Sequence, residues 1–355
     1  MTVAQTRQRN RVKGTTFEVL VRELLAKGGY LPMTADGIHI RRTDKHVRGR
    51  GCWHDVDALG RYAYPLFYMY PIRLLSEAKC YENDVNLPDI RNFVGALKDI
   101  AENYFVEDRM TWEEMIAYQR YTDCGSFFSA TGFSLGAQKY ALAQGVFLIS
   151  YDNNPVLRGV VDSMYSVIDS LDILKASNEK NDFSEWLHLN LITELKALYV
   201  GKYIPIPRQT DFTAAFRQLK DRLDAIRTSV IAMIVGREPT IQYPVHLLSN
   251  QEVPVNLFAQ RDDLFFRVHY TETRGGLAFD VEPTEALGFH LFFSLPKYVY
   301  SRYFSGRRML DFKEKYLNHI ELPVVSKGIR RILRLNLDQG WLEGQRYALR
   351  QRREV

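Results

Sequence analysis

The stretch that most constrains this chain is Leu74–Tyr81, LLSEAKCY. Its apolar residues suit an interior strand, yet it carries a glutamate and a lysine set two apart. Side chains alternate along a strand, so Glu77 and Lys79 share a face with Leu75, while Ser76, Ala78 and Cys80 take the other. Burying both charges costs several kcal/mol, about 3–5 if one of them loses its partner. The fold must therefore pair these groups with each other or bring a charged ligand to them.

The flanking segments narrow the topology. WHDVDALG, beginning at Trp53, sets Val56, Ala58 and Gly60 against Asp55, Asp57 and Leu59 and reads as a strand. The aromatic run RYAYPLFYMYP separates it from Leu74–Tyr81 and sets the two up as a hairpin. Upstream, Gly37–Arg42 reads as a short strand and Thr15–Lys27 as a helix. Phe17, Leu20, Val21, Leu24 and Leu25 recur there at helical spacing, and Gly28-Gly29 supplies the stop. Downstream, Leu87–Tyr104 is an amphipathic helix with Ile90, Phe93, Val94, Leu97 and Ile100 on one stripe. Phe105–Cys124 reads as a helical insertion. Gly125–Thr131 is then a strand, SLGAQKYALAQG a helix and Val146–Tyr151 a strand, an order that suggests a right-handed parallel crossover. The expected fold is α/β, a mixed β-sheet flanked by helices in the order α-β-β-β-α-β-α-β.

Asp152-Asn153-Asn154-Pro155 marks a boundary, which gives a first domain of residues 1–152. Residues 153–236 read as a helical region, with helices at Val156–Lys175, Phe183–Tyr199 and Phe212–Val235. Residues 237–355 read as a β-rich, basic module, with strands at TIQYPVHLL, VNLFAQ, LFFRVHYTE, LAFDVEP and GFHLFFSL. A chain of 355 residues has room for this many parts.

Composition excludes several classes. Three cysteines, Cys52, Cys80 and Cys124, are an odd number without metal spacing, which fits free thiols in a reducing compartment. No run approaches the roughly 18–20 apolar residues of a membrane span. The segment MTVAQTRQRNRVKG is basic but lacks the apolar core of a secretory signal. A cytoplasmic protein with no membrane partner is expected. The net charge of +5 is clustered: Arg7, Arg9, Arg11 and Lys13 form one group, and Arg41, Arg42, Lys45, Arg48 and Arg50 another. From Lys297 onward, 14 Lys/Arg stand against 6 Asp/Glu. Such clusters suit a polyanion, and equally suit solvated faces.

The hairpin carries the chemistry. Adjacent strands lie about 4.8 Å apart, so Asp57 and Glu77 on one face can share a divalent cation. Lys79 on that face can orient or help deprotonate an attacking water, or steady charge developing on a phosphate. The Ala78 carbonyl offers a further ligand. Two hard oxygens with an ammonium suit Mg²⁺ and a phosphodiester. An ion-pair cluster that merely holds the hairpin fits the same spacing.

The order of elements, with D…E-x-K on the second and third strands, resembles the PD-(D/E)XK nuclease superfamily, and within it the Mrr-like restriction endonuclease branch. GTTFEVLVRELLAKGGY is similar to the family's opening helix through Gly14, Phe17 and Glu18. GRGCWHDVDALG resembles its approach to a metal-binding Asp, matched by Asp57, and SEAK supplies Glu77 and Lys79. FFSATGFSLGAQKYALAQGVFLISY is similar to its late strand-helix-strand. The match covers about residues 14–151, and Glu77 stands where Mrr-type members often carry Gln. The resemblance implies Mg²⁺-dependent hydrolysis of DNA, with Mn²⁺ as a substitute. Asp57 and Glu77 would be ligands, Asp55 a supporting acid and Lys79 would sit at the water.

Glu18 either binds the metal, directly or through water, or is a helix-face partner of Arg22 four residues on. His54 points away from Asp57 by strand parity. Gln138 or Lys139 could reach a phosphate from the late helix, and YAYPLFYMY could stack bases or pack the hairpin end. The combination resembles modular restriction or phage-defence effectors, for which a homo-oligomer or a partner protein of the defence system would be in keeping. A non-catalytic DNA-binding or scaffold protein, or a nuclease for RNA or branched DNA, remains an alternative.

Overall fold

The computed structural model describes residues 3–33, 40–41, 46–63, 70–103, 111, 113, 120–152, 154–170, 209–238, 242–254, 257, 263–273, 276–295, 297–303, 306–326 and 329–351. The chain divides into two units, Met1–Leu148 with Ser163–Leu219, and Ile149–Asp162 with Lys220–Val355.

In the first unit a long helix α1 (Val3–Lys27) precedes β1 (Tyr30–Pro32), β2 (Ile40–Arg41), β3 (His46–Arg48), β4 (Trp53–Asp55), β5 (Ala58–Tyr62) and β6 (Ile72–Lys79). Then come α2 (Leu87–Ala101), β7 (Thr122–Ser129), α3 (Leu135–Ala143) and β8 (Phe147–Ser150), whose last two residues fall in the second unit. A five-stranded mixed sheet runs β1-β5-β6-β7-β8. β5 and β6 form the expected antiparallel hairpin, with Ala58 opposite Ser76 and Leu59 opposite Leu75, while β7 runs parallel to β6. A parallel neighbour needs a crossover, and α2 lies within it in sequence.

The stripe on α2 is legible in the sequence: Ile90, Phe93, Val94, Leu97 and Ile100 are all buried. They pack in one cluster with Leu75, Phe127, Phe133, Ala137 and Ala141, so α2 and α3 cover the sheet face that carries Leu75. Asn86 caps α2 by accepting the Asp89 N–H, and Asp89 returns the bond to the Asn86 N–H. Leu74 and Phe128 are buried as well, and α1 lies against β5 and β6.

Four sequence expectations need correction here. WHDVDALG is not one strand: β4 pairs with β3 in a separate three-stranded sheet, β2-β3-β4, and β5 pairs with β6 and β1. Alternation runs through the break at Val56–Asp57, so the pattern alone does not show the turn. The outer strand of the main sheet is Tyr30–Pro32 rather than Gly37–Arg42; Pro32 fits an edge position, where its missing N–H leaves no gap. Thr122–Cys124 belongs to β7 and not to a helical insertion, whose remaining residues lie largely outside the described ones. The expected helix Phe212–Val235 ends early, at Asp224.

Helices α4 (Pro155–Asp169) and α5 (Gln209–Asp224) follow; the expected helix Phe183–Tyr199 falls outside the described residues. α5 buries Phe212, Phe216, Leu219 and Leu223 at helical spacing. Beyond Asp224 the chain becomes β9 (Thr228–Val235), because a β-branched apolar run with a long partner strand gains more from a ladder than from continuing a helix.

The second unit holds β9, β10 (Gln242–Ser249), β11 (Asp263–Thr273), β12 (Gly276–Pro283), β13 (Leu291–Ser294), β14 (His319–Ser326) and β15 (Ile329–Leu337). These close into a seven-stranded barrel, β10-β13-β12-β11-β15-β14-β9, with β9 and β10 paired along eight residues each. Closure removes the open edges that an isolated β-rich segment would expose. Short α6 (Lys297–Tyr300), α7 (Gly306–Tyr316) and α8 (Gln339–Gln351) accompany it. Leu247, Phe266, Phe279, Phe293, Leu322 and Leu335 from the strands pack with Phe312 of α7 and Leu342 of α8 in one core. The basic SKGIRRILRLNL thus contributes barrel strand β15. Among the described residues, no helix is long and apolar enough to cross a membrane.

Candidate active site

The site is built where the hairpin ladder ends. Ala58 is the last β5 residue paired with β6, opposite Ser76, and Asp57 lies in the bend just before it. The Asp57 N–H still donates to the Ser76 carbonyl at 3.0 Å. Its side chain then takes over from the backbone: Asp57 Oδ2 accepts the Ala78 N–H at 2.9 Å. From α1, Arg22 Nε donates to the Asp57 carbonyl at 3.3 Å. Asp57 is thus held by β6 on one side and α1 on the other, which positions its carboxylate beside the strand carrying Glu77 and Lys79.

Glu77 and Lys79 extend the face begun by Leu75, beyond the apolar cluster. Lys79 Nζ pairs with Glu77 Oε1 and lies 3.4 Å from Asp57 Oδ2. The three side chains keep 20%, 25% and 19% of their surface for Glu77, Lys79 and Asp57, so each is screened from water yet reachable. Two carboxylates therefore share one ammonium in a place with little solvent. Burial, then the Asp57 charge, push the Glu77 carboxyl up to about 7, and Lys79 only partly opposes them. Burial by itself would lower the Lys79 ammonium, but Asp57 and Glu77 together outweigh it and hold the group above its ordinary range. The lysine stays charged at neutral pH. Above about pH 7, with both carboxylates ionised, the trio carries an excess of negative charge, and a divalent cation would relieve it.

Glu18 lies on α1, four residues before Arg22, and is buried at 8% exposure. It adds the last and smallest of the influences that raise Glu77, a third acid at longer range. Asp55 stands apart. It is exposed, closes the separate β2-β3-β4 sheet and pairs with His46 at 3.1 Å. Ala78 meets Asp57 through its N–H. His54 is engaged with Asp99 at 2.7 Å. Gln138 is buried, donating to the carbonyl of Phe133, which precedes α3, and Lys139 is exposed. The loop centred on Tyr64–Met69 lies outside the described residues.

The basic clusters divide on inspection. Arg7 and Arg11 are exposed on α1, whereas Arg9 pairs with Asp169 and Lys13 is buried, 3.4 Å from Glu82. Arg50 is exposed and pairs with Glu102 at 3.4 Å. One group was missed by sequence reasoning. Cys52, His54 and Asp99 bring three potential ligand atoms within 4.8 Å of one another. The Cys-x-His spacing was its only local signal, and the third member comes from α2, far along the chain.

No protein-family model matches the sequence, and no curated protein matches it. Among solved structures, the chain is similar to the crystal structure of AF1548, a protein of unknown function. The likeness has 14% identity, covers 48% of this chain and 95% of that one, and has a TM-score of 0.28. A likeness at that level carries no argument about function.

Proposed function

We propose that the N-terminal unit is a Mg²⁺-dependent nuclease that hydrolyses DNA phosphodiester bonds, built on a restriction-endonuclease-like sheet of the PD-(D/E)XK type. The observation that carries this reading is the convergence of Asp57 and Glu77 on Lys79 at the end of β6, two carboxylates to one ammonium, with partial access to solvent. Asp57 and Glu77 would hold the metal, with Glu18 the further acid available from α1. Their oxygens are the hard donors that Mg²⁺ prefers, and Mn²⁺ would be accepted by the same set. When bound, the metal supplies Lewis acidity toward a phosphoryl oxygen and lowers the pKa of a coordinated water.

The protein's own groups do the remaining work. Lys79 is positively charged, so it suits stabilising the negative charge that builds on the phosphate, rather than taking a proton. Asp57 is fixed by the Ala78 N–H, which keeps one oxygen oriented while the other stays available. Exposed Arg7 and Arg11 on α1 could follow a phosphate backbone. A role in restriction or phage defence, with the second unit as reader or oligomerisation module, extends this reading by analogy.

The same geometry offers a second reading. Asp57 also completes the hairpin ladder, and Lys79 neutralises two carboxylates, so the trio could serve a non-catalytic DNA-binding scaffold. One experiment separates them. Plasmid, linear duplex, single-stranded DNA and RNA are incubated with the full chain in Mg²⁺ or EDTA, beside Glu77→Gln and Lys79→Met. Metal-dependent cleavage of DNA by the wild type alone supports the nuclease. Cleavage that persists in both variants rejects the site, and preference for RNA changes the substrate.

A further inference from the structure

We propose a second metal site, independent of the one above, in which Cys52, His54 and Asp99 bind Zn²⁺ or a similar borderline cation. Cys52 Sγ lies 3.4 Å from His54 Nε2, and His54 Nε2 lies 2.7 Å from Asp99 Oδ2. Tetrahedral zinc with ordinary bond lengths sets a sulfur and a nitrogen ligand about 3.6 Å apart, and a nitrogen and an oxygen about 3.4 Å apart. The sulfur–nitrogen pair is already at that spacing. The nitrogen–oxygen pair is closer because a proton sits between them. Replacing that proton by the cation needs a shift of about 0.7 Å.

Chemistry selects the ion. A thiolate, an imidazole and a carboxylate suit zinc or cobalt, whereas Mg²⁺ prefers oxygen throughout. Three protein ligands leave the fourth position to water. Binding releases the thiol proton and the proton shared by His54 and Asp99, so affinity falls as pH drops.

The surroundings are shaped around the carboxylate. Gly51 N–H donates to Asp99 Oδ1 at 3.0 Å, and Cys52 N–H donates to Oδ2 at 3.3 Å. At Gly49 a β-carbon would fall 2.1 Å from Asp99 Oδ2, so any other residue would push the carboxylate out of its place. Arg50 N–H donates to the Asp99 carbonyl at 2.9 Å, which anchors the loop to the last turn of α2. These bonds fix the orientation of the Asp99 carboxylate, as outer partners do at metal sites. The cysteine is exposed and the other two are half-buried, so a cation can enter. A bound cation would fasten the Gly49–Cys52 loop to α2, on the chain segment that leads into Asp57.

The test uses Co²⁺ as a spectroscopic stand-in on metal-stripped full-length protein. The expected result is a thiolate-to-cobalt charge-transfer band that saturates at about one equivalent and is displaced by Zn²⁺. Cys52→Ser removes the band, and Glu77→Gln keeps it, which separates this site from the nuclease proposal. His54→Gln weakens Zn²⁺ binding by more than about tenfold, since even outer-shell changes cost that much. Zn²⁺ raises the melting temperature of the wild type and not of Cys52→Ser. A wild type without the band, or a band that survives in Cys52→Ser, overturns the proposal. Cys52→Ser alters an exposed side chain, and an unchanged circular dichroism spectrum shows that it folds.

Discussion

Asp57 Oδ2 accepts the backbone N–H of Ala78 at 2.9 Å, so one carboxylate finishes the β5–β6 ladder and also stands at the candidate active site. A structural and a chemical duty meet in one side chain, and substitutions can separate them.

Asp57→Asn keeps an oxygen that accepts the Ala78 N–H but loses the charge. It should fold with a stability loss below about 1 kcal/mol, yet lose metal-dependent cleavage. Asp57→Ala abandons the N–H as well and should cost about 1–3 kcal/mol more. Urea unfolding of both variants beside a plasmid assay checks the pair. Equal stability of the two would show that the Ala78 bond contributes nothing.

Metal binding should be visible as stability. Because Glu77 and Asp57 share one ammonium, Mg²⁺ should raise the melting temperature of the wild type, by the equivalent of about 1.4 kcal/mol at ten times its dissociation constant. EDTA should reverse the gain, and Glu77→Gln should abolish it. Calorimetric scans across a Mg²⁺ series provide the measurement.

Arg73 and Asp123 form a buried bidentate pair, with Nε to Oδ1 at 2.6 Å and Nη2 to Oδ2 at 2.9 Å. They join β6 to β7 directly across the parallel register. Asp123→Ala strands a buried guanidinium and should destabilise the first unit by about 3–5 kcal/mol. The double variant Arg73→Met with Asp123→Leu should recover much of that loss. Denaturant titration of both decides it.

His246 makes the second unit sensitive to acid. Burial pushes its imidazole down to about 4, from an ordinary 6.5. Nε2 bonds the Ser229 hydroxyl at 2.8 Å, and Nδ1 has no partner among the described residues to receive a second proton. The unfolded chain therefore takes up this proton first as pH falls. The stability contribution is complete above about 6.5 and is lost toward 4, by about 3 kcal/mol in all. Urea midpoints measured from pH 8 to pH 4 should show the decline, and His246→Gln should flatten it.

Local pattern made much of the first unit legible. The α2 stripe was readable because one helix face must be apolar to cover a sheet, and Ile90 through Ile100 obey that spacing. The β5–β6 hairpin was readable from two alternating runs across an aromatic turn. The Thr228–Val235 strand was not, since a short apolar run satisfies helix and strand alike until its partner is known. β10 is that partner, and pairing residue for residue settles the matter.

The candidate site divides along the same line. Sequence alone determined that Glu77 and Lys79 share a strand face and that Asp57 belongs to the neighbouring segment, because period-two alternation is a local property of the backbone. It also set Asp55 and Asp57 on one face of one strand, which they do not share. Only the tertiary structure decided that the chain breaks at Asp57, sending Asp55 to another sheet and turning the Asp57 carboxylate onto Ala78. Tertiary structure alone likewise brought Asp99 from α2 to Cys52 and His54. Which groups meet across long stretches of chain depends on how whole elements pack, and no local pattern carries that information.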